Sequence, residues 1–218
     1  MTALEIMRYV DHTLLKTTCK RDDIFNLCEE AIKFNTASVC IPPCFVGEAR
    51  KKFGSKLNIC TVIGFPNGYS SKETKIFETA DAIKKSADEI DMVINQCFVK
   101  DKKYEDLTDE INAVKKACNG KILKVIVETC NLSEQELVEV CKYVSDSDAD
   151  FIKTSTGFAE YGATFEAVEM IRNNIRAELK IKASGGIRTR EDMIKYIELG
   201  CERLGTSSAI KILRSEVK

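Results

Sequence analysis

Charged residues interrupt four successive apolar runs of the chain. Asp91 lies in EIDMVIN, Lys124 in ILKVIVE, Lys153 at the end of DFIK and Lys182 in KIKASGG. Buried parallel strands normally read as unbroken aliphatic runs, and an unpaired charge in such a run is costly. The four residues are therefore expected to share one cavity, three lysines around one aspartate. Asp11, in the first run YVDHTLL, is placed to join them from across a closed sheet. Exposed strand ends or an ordinary ion pair would explain one such residue more readily than four in a row.

Crowded lysines have a specific chemical use. A lysine with a pKa of about 10.4 is neutral at pH 7 in roughly one molecule in 2,500. A neighbouring ammonium and partial desolvation disfavour the charged form, and a lysine brought to about 7–8 becomes a usable nucleophile. A neutral amine attacks a carbonyl to form a Schiff base, an electron sink for carbon–carbon bond chemistry. Asp91 is suited to relay the protons. Lys153 and Lys182 lie near the carboxyl ends of their runs, where barrel active sites assemble, which favours them over Lys124 as the attacking group.

Two glycine-containing segments follow the last runs, Ser184-Gly185-Gly186 and Gly205-Thr206-Ser207-Ser208. Loops after the seventh and eighth strands of a barrel commonly bind phosphate. Glycine lets backbone N–H groups approach an anion, and the hydroxyls add hydrogen bonds. Arg188 is a candidate extra contact. Lys153-Thr-Ser-Thr-Gly157 echoes Lys182-Ala-Ser-Gly-Gly186 as K-x-S-x-G, the spacing expected of consecutive strand–helix units.

The elements that must hold these residues follow from periodicity. Strand-like runs fall at Tyr9–Leu15, Ala37–Ile41, Asn58–Ile63, Glu89–Ile94, Ile122–Val127, Asp150–Thr154, Lys180–Ser184 and Arg203–Gly205. Between them lie amphipathic stretches such as KRDDIFNLCEEAIKF, KETKIFETADAIKK, YEDLTDEINAVKKAC and LSEQELVEVCKYV, with Asp22 and Ser133 as candidate N-caps and Gly120 and Gly200 as helix stops. Eight alternations predict a parallel sheet closed into a (β/α)8 TIM barrel, α/β in class, rather than an open doubly wound sheet of five or six strands. The three prolines, Pro42, Pro43 and Pro66, fall just after the second and third runs. No linker divides residues 1–218, so one domain is expected.

Composition narrows the function. Thirty-three basic residues face 34 acidic ones, a net charge of −1, so no basic face for nucleic acid or an anionic membrane is expected. His12 is the only histidine, which argues against His-rich zinc sites and metal-dependent aldol chemistry. Ten cysteines contain no CxxC pair, so a metal site is not expected and no cofactor is implied. With no leader-like N-terminus and no run of membrane-spanning length, the chain reads as cytoplasmic.

The segments DHTLLK at 11–16, VIGFPNG at 62–68, DFIKTSTGF at 150–158, KASGGIRT at 182–189 and RLGTSSA at 203–209 together resemble the signatures of the deoxyribose-phosphate aldolase family, in family order. The resemblance implies reversible cleavage of 2-deoxy-D-ribose 5-phosphate to D-glyceraldehyde 3-phosphate and acetaldehyde. It assigns Lys153 to the Schiff base, Lys182 to its perturbation and proton transfer, and Asp91 to proton exchange. It also places Asp11, Cys40 and Lys124 at the substrate, and Thr156, Gly157, Gly185, Gly186, Gly205, Ser207 and Ser208 on its phosphate side. His12 is read as supporting structure, and a homodimer is expected by analogy. Three departures stand out. INQCFVKDKKY follows Asp91 where the family usually carries a glycine-containing stretch, Asn67 replaces a usual leucine, and the last tyrosine is Tyr196 rather than one in a C-terminal tail. Proton transfer at the enamine carbon is therefore expected to rely on Asp91, Lys182 and water, with no role for a C-terminal residue such as Lys218. The alternatives are another class I aldolase or a transaldolase acting on a different sugar phosphate, and a non-catalytic barrel that binds a phosphorylated metabolite. A pure binder has no need of lysines crowded around one carboxylate.

Overall fold

Eight parallel strands close on themselves in sequence order: β1 Val10–Thr13, β2 Ser38–Ile41, β3 Ile59–Ile63, β4 Glu89–Val93, β5 Ile122–Ile126, β6 Phe151–Lys153, β7 Lys180–Ser184 and β8 Cys201–Thr206. The ring is completed by β8 against β1, with Leu204 beside Val10 and Gly205 beside Asp11. This computed structural model describes residues 1–216, so Lys218 lies outside the described residues. A helix follows each strand, and two short helices are additional: Ala3–Met7 before β1 and Gln96–Lys100 after β4. Among the described residues no helix is long and apolar enough to cross a membrane.

Strand alternation sorts the side chains into two sets. Val39, Ile41, Ile59, Ile63, Ile90, Met92, Leu123, Val125, Ile152, Ile181, Ala183 and Leu204 point outward into one apolar layer shared with the helices. The helices contribute stripes such as Leu107, Ile111 and Val114 to the same layer. This layer between sheet and helices is the principal core, and burying it drives folding. The alternate positions face the barrel interior, which explains how β4 to β7 can carry charges without disrupting that layer. The sequence reading set those charges against an aliphatic rule that applies to only half of each strand.

Helix boundaries follow local chemistry. Ser133 caps its helix, with its hydroxyl accepting from the Glu136 amide while the Glu136 carboxylate accepts from the Ser133 amide. The expected cap at Asp22 is not observed. The helix begins at Arg21, and it is Asp23 that reaches back to accept from the Lys20 amide at 2.8 Å. Gly120 and Gly200 both take positive φ just beyond helix ends, as expected. The unusual loop after β4 is ordered by Asn95, whose side chain accepts from the Cys97 amide and starts the Gln96–Lys100 turn.

His12 points out of the barrel on β1, 3% exposed, with Nε2 3.0 Å from Glu30 Oε2. Burial lowers its pKa below the ordinary 6.5, against the opposing pull of Glu30. A base with a depressed folded-state pKa contributes stability that is complete above the unfolded value and is lost as pH falls through the folded one. Urea unfolding should therefore show a component of stability that declines as pH drops below about 6.5. That component should be missing in His12→Gln, because this is the only histidine.

Candidate active site

The strand register fixes which interior residues meet. Asp91 on β4 is the partner of Lys124 on β5, Lys153 on β6 pairs with Lys182 on β7, and Cys40 on β2 pairs with Cys60 on β3. Their side chains converge on Asp91, which is fully buried. Asp91 Oδ2 accepts from Lys153 Nζ at 2.8 Å and from Lys182 Nζ at 2.7 Å. Oδ1 accepts from Lys124 Nζ at 2.9 Å and from the Cys60 thiol at 3.1 Å. The expected gathering of three lysines around one aspartate is the arrangement observed.

A second layer of charge lies beneath. Lys182 Nζ is 2.5 Å from Asp11 Oδ2, and Lys124 Nζ is 2.6 Å from Glu89 Oε2. Arg203 clamps Glu89 through both of its terminal nitrogens, at 2.8 and 2.9 Å, and also donates to Asp11 Oδ1 at 2.8 Å. Ser38 completes Asp11 by donating to Oδ1 at 2.8 Å. Four cations thus face three carboxylates, leaving one surplus positive charge in a region with almost no water contact.

The electrostatics follow from this pairing. Burial disfavours the charge on Asp91, but Lys124, Lys153 and Lys182 outweigh it and hold the carboxyl well below the ordinary range. Burial likewise opposes the Lys182 ammonium, yet Asp11 and Asp91 prevail and raise its pKa above the ordinary lysine value. Lys124 behaves in the same way, with burial overcome chiefly by Asp91. The lowering of lysine pKa by crowding, expected from sequence, therefore does not describe Lys124 or Lys182, because each ammonium is matched by carboxylates. Burial pushes the Cys60 thiol well up, which keeps its proton available for Asp91. Cys40, Cys60 and Asp91 place two sulfurs and a carboxylate oxygen within 4.8 Å of one another. Three ammonium groups already on that carboxylate make the trio a poor seat for a metal ion.

Above this cluster opens a cavity of about 290 Å³ at the carboxyl ends of the strands. Of the three lysines only Lys153 lines it, and Lys153 is also the only one held by a single carboxylate. Thr156, Gly157, Gly185, Gly186, Gly205, Ser207 and Ser208 all line the same cavity. Asp11, Cys40, Lys124, Lys182 and Asp91 do not, and form its buried floor. Gly205 is required by the floor: a Cβ there would lie 2.2 Å from Ser184 Oγ and 3.1 Å from Lys182 Cε. Gly185 takes φ +79 and packs against Gly162, where a Cβ would come within 2.3 Å of the Gly185 backbone.

Several residues of the site went unread in the sequence. Glu89 precedes Asp91 by two positions, so strand periodicity alone would have turned it inward. Arg203 sits in the eighth run, where its charge should have been counted with the other four. Cys60 carried no signal beyond being apolar in context. Exposed Lys16, which was not singled out, lines the cavity beside Arg188, the candidate extra contact, and the two add positive charge at its rim. Ser184 Oγ is buried at the cavity wall with no partner among the described residues. The helix after β8, Ala209–Leu213, is only five residues long, so its dipole adds little at the cavity.

Comparison with known proteins places this geometry. The profile described as DeoC/LacD family aldolase matches residues 5–207. The chain belongs to that family. Among curated members, the deoxyribose-phosphate aldolase of Clostridium botulinum (strain Alaska E43 / Type E3) is 51% identical over 216 residues, covering 99% of this chain and 98% of the relative. The deoxyribose-phosphate aldolase of Clostridioides difficile (strain 630) is 49% identical over 211 residues, covering 97% and 96%. Among solved structures, the aldolase QR15 superposes with a TM-score of 0.93 at 36% identity, covering 97% of this chain and 95% of that one. The tetrameric deoxyribose phosphate aldolase of Aeropyrum pernix superposes with a TM-score of 0.87 at 27% identity, covering 98% and 92%. The protein is an aldolase on a (β/α)8 barrel.

In this aldolase removing any one of the three buried carboxylates leaves the cluster with a larger uncompensated positive charge. Glu89→Ala is expected to destabilise the fold by about 3–5 kcal/mol, the cost of breaking a buried pair. Urea denaturation at neutral pH measures it. A loss below about 1 kcal/mol would mean that Lys124 and Arg203 do not depend on Glu89.

Proposed function

We propose that this aldolase cleaves 2-deoxy-D-ribose 5-phosphate reversibly to D-glyceraldehyde 3-phosphate and acetaldehyde, with Lys153 as the Schiff-base nucleophile. The observation that carries the reading is the asymmetry of the lysines. Lys153 reaches the cavity and touches one carboxylate, whereas Lys124 and Lys182 are buried and pinned by two or more. The curated relatives named above support the choice of substrate.

The cluster supplies the nucleophile and the path for its protons. Lys153 gives up a proton and its nitrogen attacks the aldehyde carbon C1 of the open-chain sugar. Departure of that proton from the cluster removes its surplus positive charge. Asp91 Oδ2, which accepts from both Lys153 and Lys182, is the oxygen through which protons pass between the two lysines. A proton returned from Lys182 through Asp91 Oδ2 lets the carbinolamine hydroxyl leave as water, which gives the iminium. A base then takes the proton from the C3 hydroxyl, the C2–C3 bond breaks, and its electrons move into the iminium to form an enamine. D-glyceraldehyde 3-phosphate leaves. Protonation of the enamine at C2, followed by hydrolysis, releases acetaldehyde and restores Lys153. Lys182, held as an ammonium by Asp11 and Asp91, is a proton donor that stays loaded at neutral pH. The phosphate is assigned to the rim formed by Lys16, Arg188, Ser207 and Ser208, where two cations and two hydroxyls face the cavity. Free thiols throughout the chain favour a reducing, cytosolic setting.

Incubation with acetaldehyde and borohydride, followed by peptide mass spectrometry, should place the reduced adduct on Lys153. An adduct on Lys124 or Lys182 alone would contradict the assignment. Lys153→Met should abolish both adduct and turnover, and Lys182→Met should lower kcat by about 10²-fold or more. Turnover on deoxyribose 5-phosphate should exceed that on other sugar phosphates, which separates this reading from a different class I aldolase.

A further inference from the structure

Glu128 takes no part in the chemistry just described and is nevertheless built with unusual care. It follows β5 immediately, in the left-handed region at φ 54 and ψ 69, a conformation that side-chain-bearing residues rarely adopt. Its side chain is 2% exposed. Burial pushes its carboxyl pKa up, opposed by hydrogen bonds from Thr156.

Those hydrogen bonds converge on one residue. The Thr156 amide donates to Glu128 Oε1 at 3.2 Å and to Oε2 at 3.3 Å, and the Thr156 hydroxyl is in close contact with Oε2. The Phe158 amide donates to Thr156 Oγ1 at 3.0 Å. A threonine hydroxyl has one hydrogen to donate. The hydroxyl accepts from the Phe158 amide and points its one hydrogen at Glu128. Both donors of Thr156 thus face Glu128, and the amide is shared between its two oxygens, which suits a group that presents acceptors only.

The position of this clamp gives it a function. Thr156, Gly157 and Phe158 line the cavity that Lys153 enters, and Glu128 does not. Glu128 instead lines a second cavity, also about 290 Å³, that meets the first only at Thr156 and Phe158. Glu128 thus holds, from behind, the wall of the loop between β6 and the phosphate rim.

We infer that Glu128 is a positioning residue that sets the preference for a phosphorylated substrate by fixing the Thr156–Phe158 backbone against the phosphoryl end. This rests on the proposed function and extends it. Glutamine keeps the size of the side chain but loses the charge and sets an NH2 donor where Oε1 now accepts from the Thr156 amide.

The test compares kcat and KM for 2-deoxyribose 5-phosphate and for unphosphorylated 2-deoxyribose in wild type, Glu128→Gln, Thr156→Val and the double variant. Glu128→Gln should lower the ratio of kcat/KM values, phosphorylated to unphosphorylated, by about tenfold, the scale of one hydrogen bond to a charged group. The loss should fall on KM. Thr156→Val should give the same shift, and the double variant little more. A parallel fall on both substrates, or no fall on either, would overturn the inference. Wild-type enzyme that forms the acetaldehyde adduct at Lys153 but does not turn over the phosphorylated sugar would instead overturn the proposed substrate, before any variant is compared.

Discussion

One buried carboxylate organises this barrel. Asp91 accepts four hydrogen bonds on two oxygens, from three lysines and a thiol, in an interior almost free of water. Removing such a group from water is costly, and only its full set of partners offsets that cost. The demand then propagates: three ammonium groups on one aspartate require further carboxylates, and Asp11 and Glu89 meet it. Those carboxylates in turn require Arg203 and Ser38. The floor of the cavity is in this sense a consequence of placing Asp91 at mid-barrel.

The same network separates the roles of chemically identical side chains. Lys124 touches Asp91, Glu89 and more distantly Asp11, so its charge is fixed and it serves as a structural cation. Lys182 lies between Asp11 and Asp91, charged but one oxygen away from Lys153. Lys153 has a single partner and an open side. In the proposed mechanism a nucleophile, a proton donor and a counter-ion are made from three lysines by differences in partner number rather than residue type. A barrel suits this arrangement, because alternation lets the outer face of each strand supply stability while the inner face carries the charges.

Much of this was legible in the sequence, for physical reasons that can be named. Strand number followed from alternation, and the inward direction of Asp91, Lys124, Lys153 and Lys182 followed from charge in otherwise apolar runs. The place of Gly185, Gly186 and Gly205 at the mouth of the barrel followed from their position after the seventh and eighth strands. Partner matching was harder to see. Crowding suggested lowered lysine pKa values, but the sign depends on carboxylates brought from β1 and β4 by closure of the sheet. Glu89 and Arg203 opened the runs read from sequence, where a charge is usually exposed, although Arg203 falls inside β8. Glu128 resembled a loop residue, and only the three-dimensional path of the β6 loop shows what it holds.

The central claim is that carboxylate matching keeps Lys182 charged beside the open Lys153. Nitrogen-15 NMR of lysine Nζ groups, with Lys182 assigned by difference from Lys182→Arg, reads its protonation directly during a pH titration. Lys182 is predicted to remain an ammonium up to and beyond the ordinary lysine pKa of about 10.4. Deprotonation of Lys182 below that value, in folded protein, would contradict the account.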